Sequence, residues 1–384
     1  MRGTVERYGS GWRYRVELAR DPATGHRRFS TKGGFHTERD ARRALNRVLV
    51  AIDDGVHPGR TRIVTADYLG EWVARAKVDL KPTTAAGYGH AVQTLAKAFG
   101  VVRLQDLTPL MIEDLYSQLL DRGFAPKTVR NIHMVLHRAL ADAERLGLIA
   151  RNPARSARAP AVSRKEQGTW SPEQLSQFLG ISAHDPLHGV FVLLATTGMR
   201  RGEVVGLRWV DVDLDRGVVS VVHTITTVHG RPVESTPKTA KSRRRVSLDA
   251  TSVAVLRLHR AAQREQRLQL GPGWADHGLV FCQYDGSPLH PDYVTRRFRA
   301  LVEEIGLPRI RLHDLRHTYA TLALQAGVHP KVVSERLGHA TVGITLDLYS
   351  HVAPSLDQQA AEVVAGLLHF EPPSSGSVRS VDSE

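Results

Sequence analysis

The 384-residue chain has one cysteine, no long apolar run and too few acidic residues to balance its basic ones, and each shortage narrows what it can be. A single cysteine, Cys282, excludes an internal disulfide and any cysteine-rich zinc module, and it fits a reducing compartment. Set between Phe281 and Gln283, it reads as a small core residue. No window approaches the roughly 18 apolar residues that cross a bilayer. The basic start Met1-Arg2-Gly3-Thr4-Val5-Glu6-Arg7 has no apolar run behind it, so neither a signal peptide nor a membrane partner is expected, and the expected location is cytoplasmic. No fixed-period repeat is present. Hydrophobic residues at 42% and charged residues at 24% set aside disordered and collagenous classes. At about 150 residues per domain, the length suggests two or three domains.

Acidic residues number 39 against 52 Lys and Arg, a net charge of +13 that points to a polyanion such as nucleic acid or an acidic membrane face, between which charge alone does not choose. The excess is uneven. Residues 1–164 hold 28 basic and 16 acidic side chains, whereas the remainder holds 24 and 23. That asymmetry predicts separate gripping and working parts.

The basic part begins with a small sheet and a helix. Trp12-Arg13-Tyr14-Arg15-Val16-Glu17-Leu18 alternates apolar and charged residues, the period of a strand with one buried face. Asp21-Pro22-Ala23-Thr24-Gly25 is turn chemistry, and His26-Arg27-Arg28-Phe29-Ser30-Thr31 reads as the returning strand. Thr37 is suited to cap a helix running to about Asp54, with Ala41, Ala44, Leu45, Val48, Leu49 and Ile52 as its apolar stripe. A ribbon presenting Arg13, Arg15, Arg27 and Arg28 has the shape and charge to enter a major groove. A solvated basic sheet face is an equally good account of the same residues.

Helical patterns follow at 65–78, 82–98, 108–121 and 126–146, the last with Val129, Ile132, Val135, Leu136, Leu140 and Ala143 on one stripe. Pro82 opens a helix, and Gly123 and Gly147 follow helix ends. The aperiodic run Arg151-Asn152-Pro153-Ala154-Arg155-Ser156-Ala157-Arg158-Ala159-Pro160 reads as a linker. Its Arg151, Arg155 and Arg158 suit a phosphate backbone, or solubility alone. Ser171-Pro172 then starts a helical stretch reaching about Val210, β-rich stretches lie near 217–228 and 243–248, and helices return to about Leu368. The Pro- and Ser-rich end is expected to be disordered.

Four stretches of the C-terminal part place charge where packing does not need it. In Thr197-Gly198-Met199-Arg200-Arg201-Gly202-Glu203 the glycine breaks an apolar helix, and Glu203 is spaced to hold the Arg200 guanidinium. Alone this is better read as a surface capping network. In His313-Asp314-Leu315-Arg316-His317-Thr318, His313 and Arg316 lie one helical turn apart. His313 and His317 also have the spacing of a zinc helix, but Arg316 would stand beside the metal, so no metal is expected. The others are Glu335-Arg336-Leu337-Gly338-His339, a helix end with a histidine after it, and Thr345-Leu346-Asp347-Leu348-Tyr349-Ser350-His351. Asp211-Val212-Asp213-Leu214-Asp215 only begins like a calcium loop, since Gly217 is one position late and residue 222 is Val, and it reads as a polar turn into a strand.

Together and in this order, these motifs resemble the tyrosine recombinase family of the phage-integrase type, across about residues 60–368. The resemblance implies a multidomain fold. An arm-type DNA-binding domain with a three-stranded sheet and a helix would occupy 1–58, and an all-α core-binding domain 62–150. A basic linker would follow at 151–168, then a mainly-α, α+β catalytic domain at 169–370 and a disordered tail at 371–384. It also implies Tyr349 as nucleophile, Arg200 and Arg316 as phosphate clamps, Lys238 as the general acid of a β-hairpin, and His313 and His339 completing the pocket. Lys241 competes with Lys238, which is preferred because it stands in a Lys-Thr pair. Double-stranded attachment-site DNA is the implied partner, bound by a homotetramer with an accessory DNA-bending or directionality factor, and no cofactor is required.

The residue types suit that chemistry on their own terms. Near pH 7 only about one tyrosine in a thousand is phenolate, so a cationic pocket or a base such as His313 must assist its deprotonation. Paired guanidiniums are permanently charged and forked to match phosphate oxygens. A lysine can protonate the leaving 5′ oxygen. The expected function is site-specific DNA recombination through a 3′-phosphotyrosine. The alternatives are a catalytically silent DNA-binding protein of the same fold, a relaxing topoisomerase and a zinc hydrolase.

Overall fold

Alternating apolar residues at the N-terminus and helical stripes after them build the first of two units, Met1–Arg164, and the second is Lys165–Glu384. The computed structural model describes residues 3–18, 26–53, 63–163, 168–236, 243–343, 345–346, 362, 364, 365, 367 and 368. Strands β1 (Gly3–Tyr8), β2 (Gly11–Leu18) and β3 (Arg28–Phe35) form an antiparallel sheet in that order. Period-two alternation turns Tyr14 and Val16 of β2 inward, where they cluster with Leu45 of α1 (Glu38–Asp53). Thr37 caps α1, its Oγ1 accepting from the Asp40 backbone N–H at 3.1 Å. β1 supplies the third strand that the resemblance implied, at residues no alternation marked, because only Val5 of its six is strongly apolar.

The helical part of this unit contains α2 (Thr65–Ala76), α3 (Pro82–Phe99), α4 (Pro109–Asp121) and α5 (Pro126–Arg145). The last three begin on proline, whose missing N–H is no loss in a first turn. Their stripes close over Leu69, Leu95, Ile112, Leu119, Leu136 and Leu140, all without exposed surface. The supposed linker is part of this core as far as Ala157. Ala154 and Ala157 are buried in it, and the Asn152 side chain donates to the His137 carbonyl and accepts from the Ala154 N–H, both at 2.9 Å. Small residues without periodicity looked like a connection, but alanine fits a crowded helix surface as well as it fits a linker.

In the second unit, Ser171 caps α6 (Pro172–Ile181) in a reciprocal capping box with Gln174. Helix α7 (His188–Thr197) is apolar on every side because it runs through the core. Next come α8 (Arg201–Val205), β4 (Val212–Asp213), β5 (Val218–Val221), β6 (Thr224–Val228), β7 (Arg231–Ser235) and β8 (Arg244–Ser247). Helices α9 (Ala250–Leu270), α10 (Pro291–Ile305), α11 (Asp314–Gln325) and α12 (Pro330–Leu337) follow. β5 pairs with β4 and β8, whereas β6 pairs with β7 in a separate ribbon. The strand-like run at 217–228 is therefore two strands of different sheets, parted at Val222 and His223. The turn at 213–217 is held by Asp213 Oδ1, which accepts from the N–H groups of Asp215 and Arg216. Among the described residues no helix is long and apolar enough to cross a membrane.

Candidate active site

Four elements of the second unit meet where α12 ends. Gly198 closes α7 with φ +63°, a conformation costly to residues with a side chain, and a Cβ there would collide with Leu337 and approach Tyr319 Cδ1 to 2.8 Å. The close approach lets the Gly198 carbonyl accept from Arg316 Nη1 of α11 at 2.6 Å. Two residues on, Arg200 is the N-cap of α8. Its backbone N–H donates to Glu203 Oε2 at 2.9 Å and its Nη1 to Oε1 at 2.8 Å.

Glu203 is almost wholly buried and has a second partner. Arg244 of β8 donates from Nη1 and Nη2 to the two carboxylate oxygens, at 3.2 and 2.9 Å. Burial alone would raise the Glu203 carboxyl, but Arg244, then the Arg200 N–H and charge, outweigh it and hold the group below the usual carboxylate range.

A helix leaves its last carbonyls without internal partners, and cations are favoured there. At the end of α12, three arginines from three elements fill this role. Arg244 Nε donates to the Arg336 carbonyl at 2.6 Å, Arg316 Nη2 to Leu337 at 2.6 Å and Arg200 Nη2 to Gly338 at 3.2 Å. One helix end thus collects three guanidiniums around a single carboxylate. Burial first, then the charge of Arg200, lowers the buried Arg316 to about 9, still protonated at neutral pH. Gly338 ends α12 with φ +67°, and His339 follows, its Nδ1 hydrogen-bonded with Thr345 Oγ1 at 2.8 Å. His313 stands at the N-cap of α11 with its ring edge-on to His317, centroids 5.2 Å apart.

Both histidines are held neutral at physiological pH. Burial, then His317 and Arg316, lowers His313 to about 4, and burial, then Arg316 and Arg200, lowers His339 to about 4. Neutral imidazoles can accept a proton, and the guanidiniums supply fixed positive charge. The arrangement suits a phosphate whose attacking group must lose a proton.

Arg200, His313, Arg316 and His339 therefore converge. Lys238, its competitor Lys241 and Tyr349 lie outside the described residues, between β7 and β8 and just after the helical Thr345 and Leu346. Arg244 went unnoticed in the sequence, although its signal was there: with Val246 inward, strand alternation turns Arg244 inward as well. Among the described residues no three His, Cys, Asp or Glu side chains group as metal ligands.

The basic residues proposed for DNA contact are dispersed. Arg13 pairs with Glu6 at 2.7 Å, Arg27 with Glu17 at 3.6 Å, and Arg15 lies over the Phe29 ring. The Arg28 side chain is outside the described set. Arg155 pairs with Glu144 at 3.0 Å, the Arg158 backbone N–H donates to Glu113, and Arg151 is exposed.

Known proteins align with all three parts. Residues 171–355 match the phage integrase family, residues 5–52 an arm DNA-binding domain, and residues 66–120 a phage integrase N-terminal SAM-like domain. The ICEBs1 integrase of Bacillus subtilis (strain 168) is 29% identical over 300 residues, 77% of this chain and 81% of the relative. A XerC-like tyrosine recombinase of Caldanaerobacter subterraneus is 26% identical over 353 residues, 86% of this chain and 90% of its own. The fold is shared with the Tn1549 transposon integrase solved with transposon right end DNA, with TM-score 0.68, 20% identity, and coverage of 79% of this chain and 100% of that one. With an arm domain, a SAM-like helical part and a catalytic part whose arginines meet at one helix end, the chain belongs to the phage integrase family of site-specific tyrosine recombinases.

Proposed function

We propose that this recombinase cleaves one DNA strand with Tyr349 and rejoins it to another, integrating or excising a mobile element, with Arg200 and Arg316 gripping the scissile phosphate. The observation carrying the residue assignment is the seating of Arg200, Arg244 and Arg316 on three consecutive carbonyls beside His339. A phosphate in reach of those guanidiniums has its nonbridging oxygens neutralised as charge builds in the transition state.

Tyr349 Oη attacks phosphorus as His313 takes its proton, the P–O5′ bond breaks, and Lys238 donates the proton that O5′ needs. A 3′-phosphotyrosine results. A partner strand's 5′-hydroxyl reverses each step, so bond energy is conserved and neither ATP nor a cofactor is consumed. His339 hydrogen-bonds the same phosphate. We assign 1–58 to arm-site DNA, 62–157 to core-site DNA, 158–168 to the connection, 169–370 to catalysis and 371–384 to the tail. Attachment-site duplexes are brought together by a homotetramer in the cytoplasm, with an accessory factor setting direction.

The test is trapping. A nicked duplex carrying the DNA that flanks the coding sequence is incubated with the protein and resolved under denaturing conditions. Wild type forms a covalent adduct and Tyr349→Phe does not. An adduct with Tyr349→Phe overturns the nucleophile assignment, and none with wild type supports a silent DNA-binding protein.

A further inference from the structure

The sheet and helix at the N-terminus carry cations on opposite faces, and the two faces differ in how far those charges are already used. Tyr14 and Val16 of β2 pack beneath α1, so Arg13 and Arg15 project from the other side of the sheet. There Arg13 is paired with Glu6 and Arg27 with Glu17, while Arg13 and Arg15 lie over the rings of Tyr8 and Phe29, 4.0 and 3.9 Å from their centroids. The sheet face is close to self-neutralised.

Helix α1 is the reverse case. Its inward stripe, with Ala41 and Leu45 buried, fixes its orientation. Its outward stripe is Arg39, Arg42, Arg43, Asn46, Arg47 and Val50, all exposed and lining a shallow trough of about 530 Å³. Arg42 pairs with Glu38 at 2.9 Å. Arg39, Arg43 and Arg47 have no hydrogen bond or ion pair among the described residues. They stand at i, i+4 and i+8, where like charges repel, and Arg39 lies in the first turn, where the helix dipole disfavours a cation. The acidic residues of that turn, Glu38 and Asp40, are bonded to Arg42 and Thr37 instead.

We propose that the outward face of α1 is a second DNA-binding surface, one that holds a phosphate backbone while the opposite sheet face is free to enter a groove. Three guanidiniums spaced about 6 Å apart along the helix cover roughly 12 Å. Phosphates recur about every 3.4 Å of duplex axis on each strand, so a few fall within reach. A membrane-surface helix would need large apolar residues beside the cations, and a protein hot spot would need an aromatic anchor; Val50 is the one apolar member of the stripe. Backbone phosphate asks only for exposed, unpaired cations. The inference rests on the DNA-recombinase reading above and adds to it a face that lies away from the sheet.

Full-length wild type, the triple variant Arg39→Gln/Arg43→Gln/Arg47→Gln and Arg15→Gln are titrated with a fluorescent 40-bp random-sequence duplex across a range of salt. Each lost phosphate contact lowers the slope of log affinity against log salt by about 0.9. The triple variant is expected to lose two to three from the slope, Arg15→Gln no more than one, and the two losses to add, because the faces are opposite. Unchanged circular dichroism and melting temperature certify that these exposed substitutions leave the fold intact. A triple variant with the wild-type slope overturns the proposal while the recombinase reading stands. Wild type that binds no duplex overturns both.

Discussion

Arg244 and Glu203, 41 residues apart in the chain, form a two-pronged buried ion pair at 2.9 and 3.2 Å, and the same carboxylate holds Arg200. The pair is structural in its own burial and functional in what it orients. Removing one partner leaves a buried charge unanswered, a loss of about 3–5 kcal/mol, whereas replacing both with apolar residues is often near neutral for stability. Arg244→Ala is therefore expected to lower the urea midpoint strongly. The double variant Arg244→Met/Glu203→Met should recover the midpoint but not the cleavage rate, because Arg200 has lost its anchor. Recovery of both would show that the pair serves folding alone.

Arg316 bonds two carbonyls from one planar group, Gly198 through Nη1 and Leu337 through Nη2. An ammonium cannot reproduce that fork. Arg316→Lys should bind duplex DNA nearly as wild type does and cleave about 10²–10³-fold more slowly, the usual loss on removing a preorganised transition-state donor. Single-turnover cleavage on a nicked substrate measures it. A rate within threefold of wild type removes Arg316 from the clamp.

Gly198→Ala tests the close approach of α7 to α12. A left-handed conformation costs an alanine about 1–2 kcal/mol, and its Cβ would also press on Leu337 and Tyr319. Thermal melting should drop by several degrees and adduct formation should fall with it, since the displaced carbonyl is one that holds Arg316. Melting unchanged from wild type would mean that the two helix ends have room to part.

Acid should destabilise the protein in two stages. His313 and His339 titrate near 4 when folded and near 6.5 when unfolded, so between those values the unfolded chain binds more protons. Stability is thus fully present above about pH 6.5 and declines as pH falls towards 4. Below that, carboxylates held low in the fold, Glu203 and Asp314 among them, add their own loss. Melting temperature against pH should show the upper stage, and His339→Asn should flatten it. An identical upper stage in that variant would exclude His339 from it.

Much of this was readable beforehand wherever one residue type has one job. The stripe Val129 to Ala143 marked α5, Thr37 and Ser171 marked helix starts, and an all-apolar run marked α7 as a core helix. The Arg200–Glu203 pair followed from spacing alone. Other features depend on register or on a distant partner. Val221 and Val222 are equally apolar, so the step from one sheet to another at that point left no mark. In Arg243-Arg244-Arg245 composition alone does not say which arginine turns inward; only the strand register set by Val246 does. The outward arginines of α1 were passed over because its apolar stripe already accounted for the helix. No local pattern announces that three arginines will share one helix end.

Helix α12 meets α11 through a small apolar cluster of Ala320, Leu324, Val333 and Leu337, apart from the main core of the unit. Its C-terminal end is held besides by the three carbonyl bonds and by Arg336, whose Nη2 donates to the Thr196 and Ser247 carbonyls at 3.4 and 2.8 Å. If those bonds let go, Arg200 stays on Glu203 and Arg316 on the Gly198 carbonyl, but both lose their bond to the helix end that carries His339. The full set of groups is then assembled only while the eight residues of α12 are docked. A population held near that transition would turn over at the undiminished rate in a reduced fraction of molecules: cleavage amplitude would fall with mild denaturant before the rate constant changed.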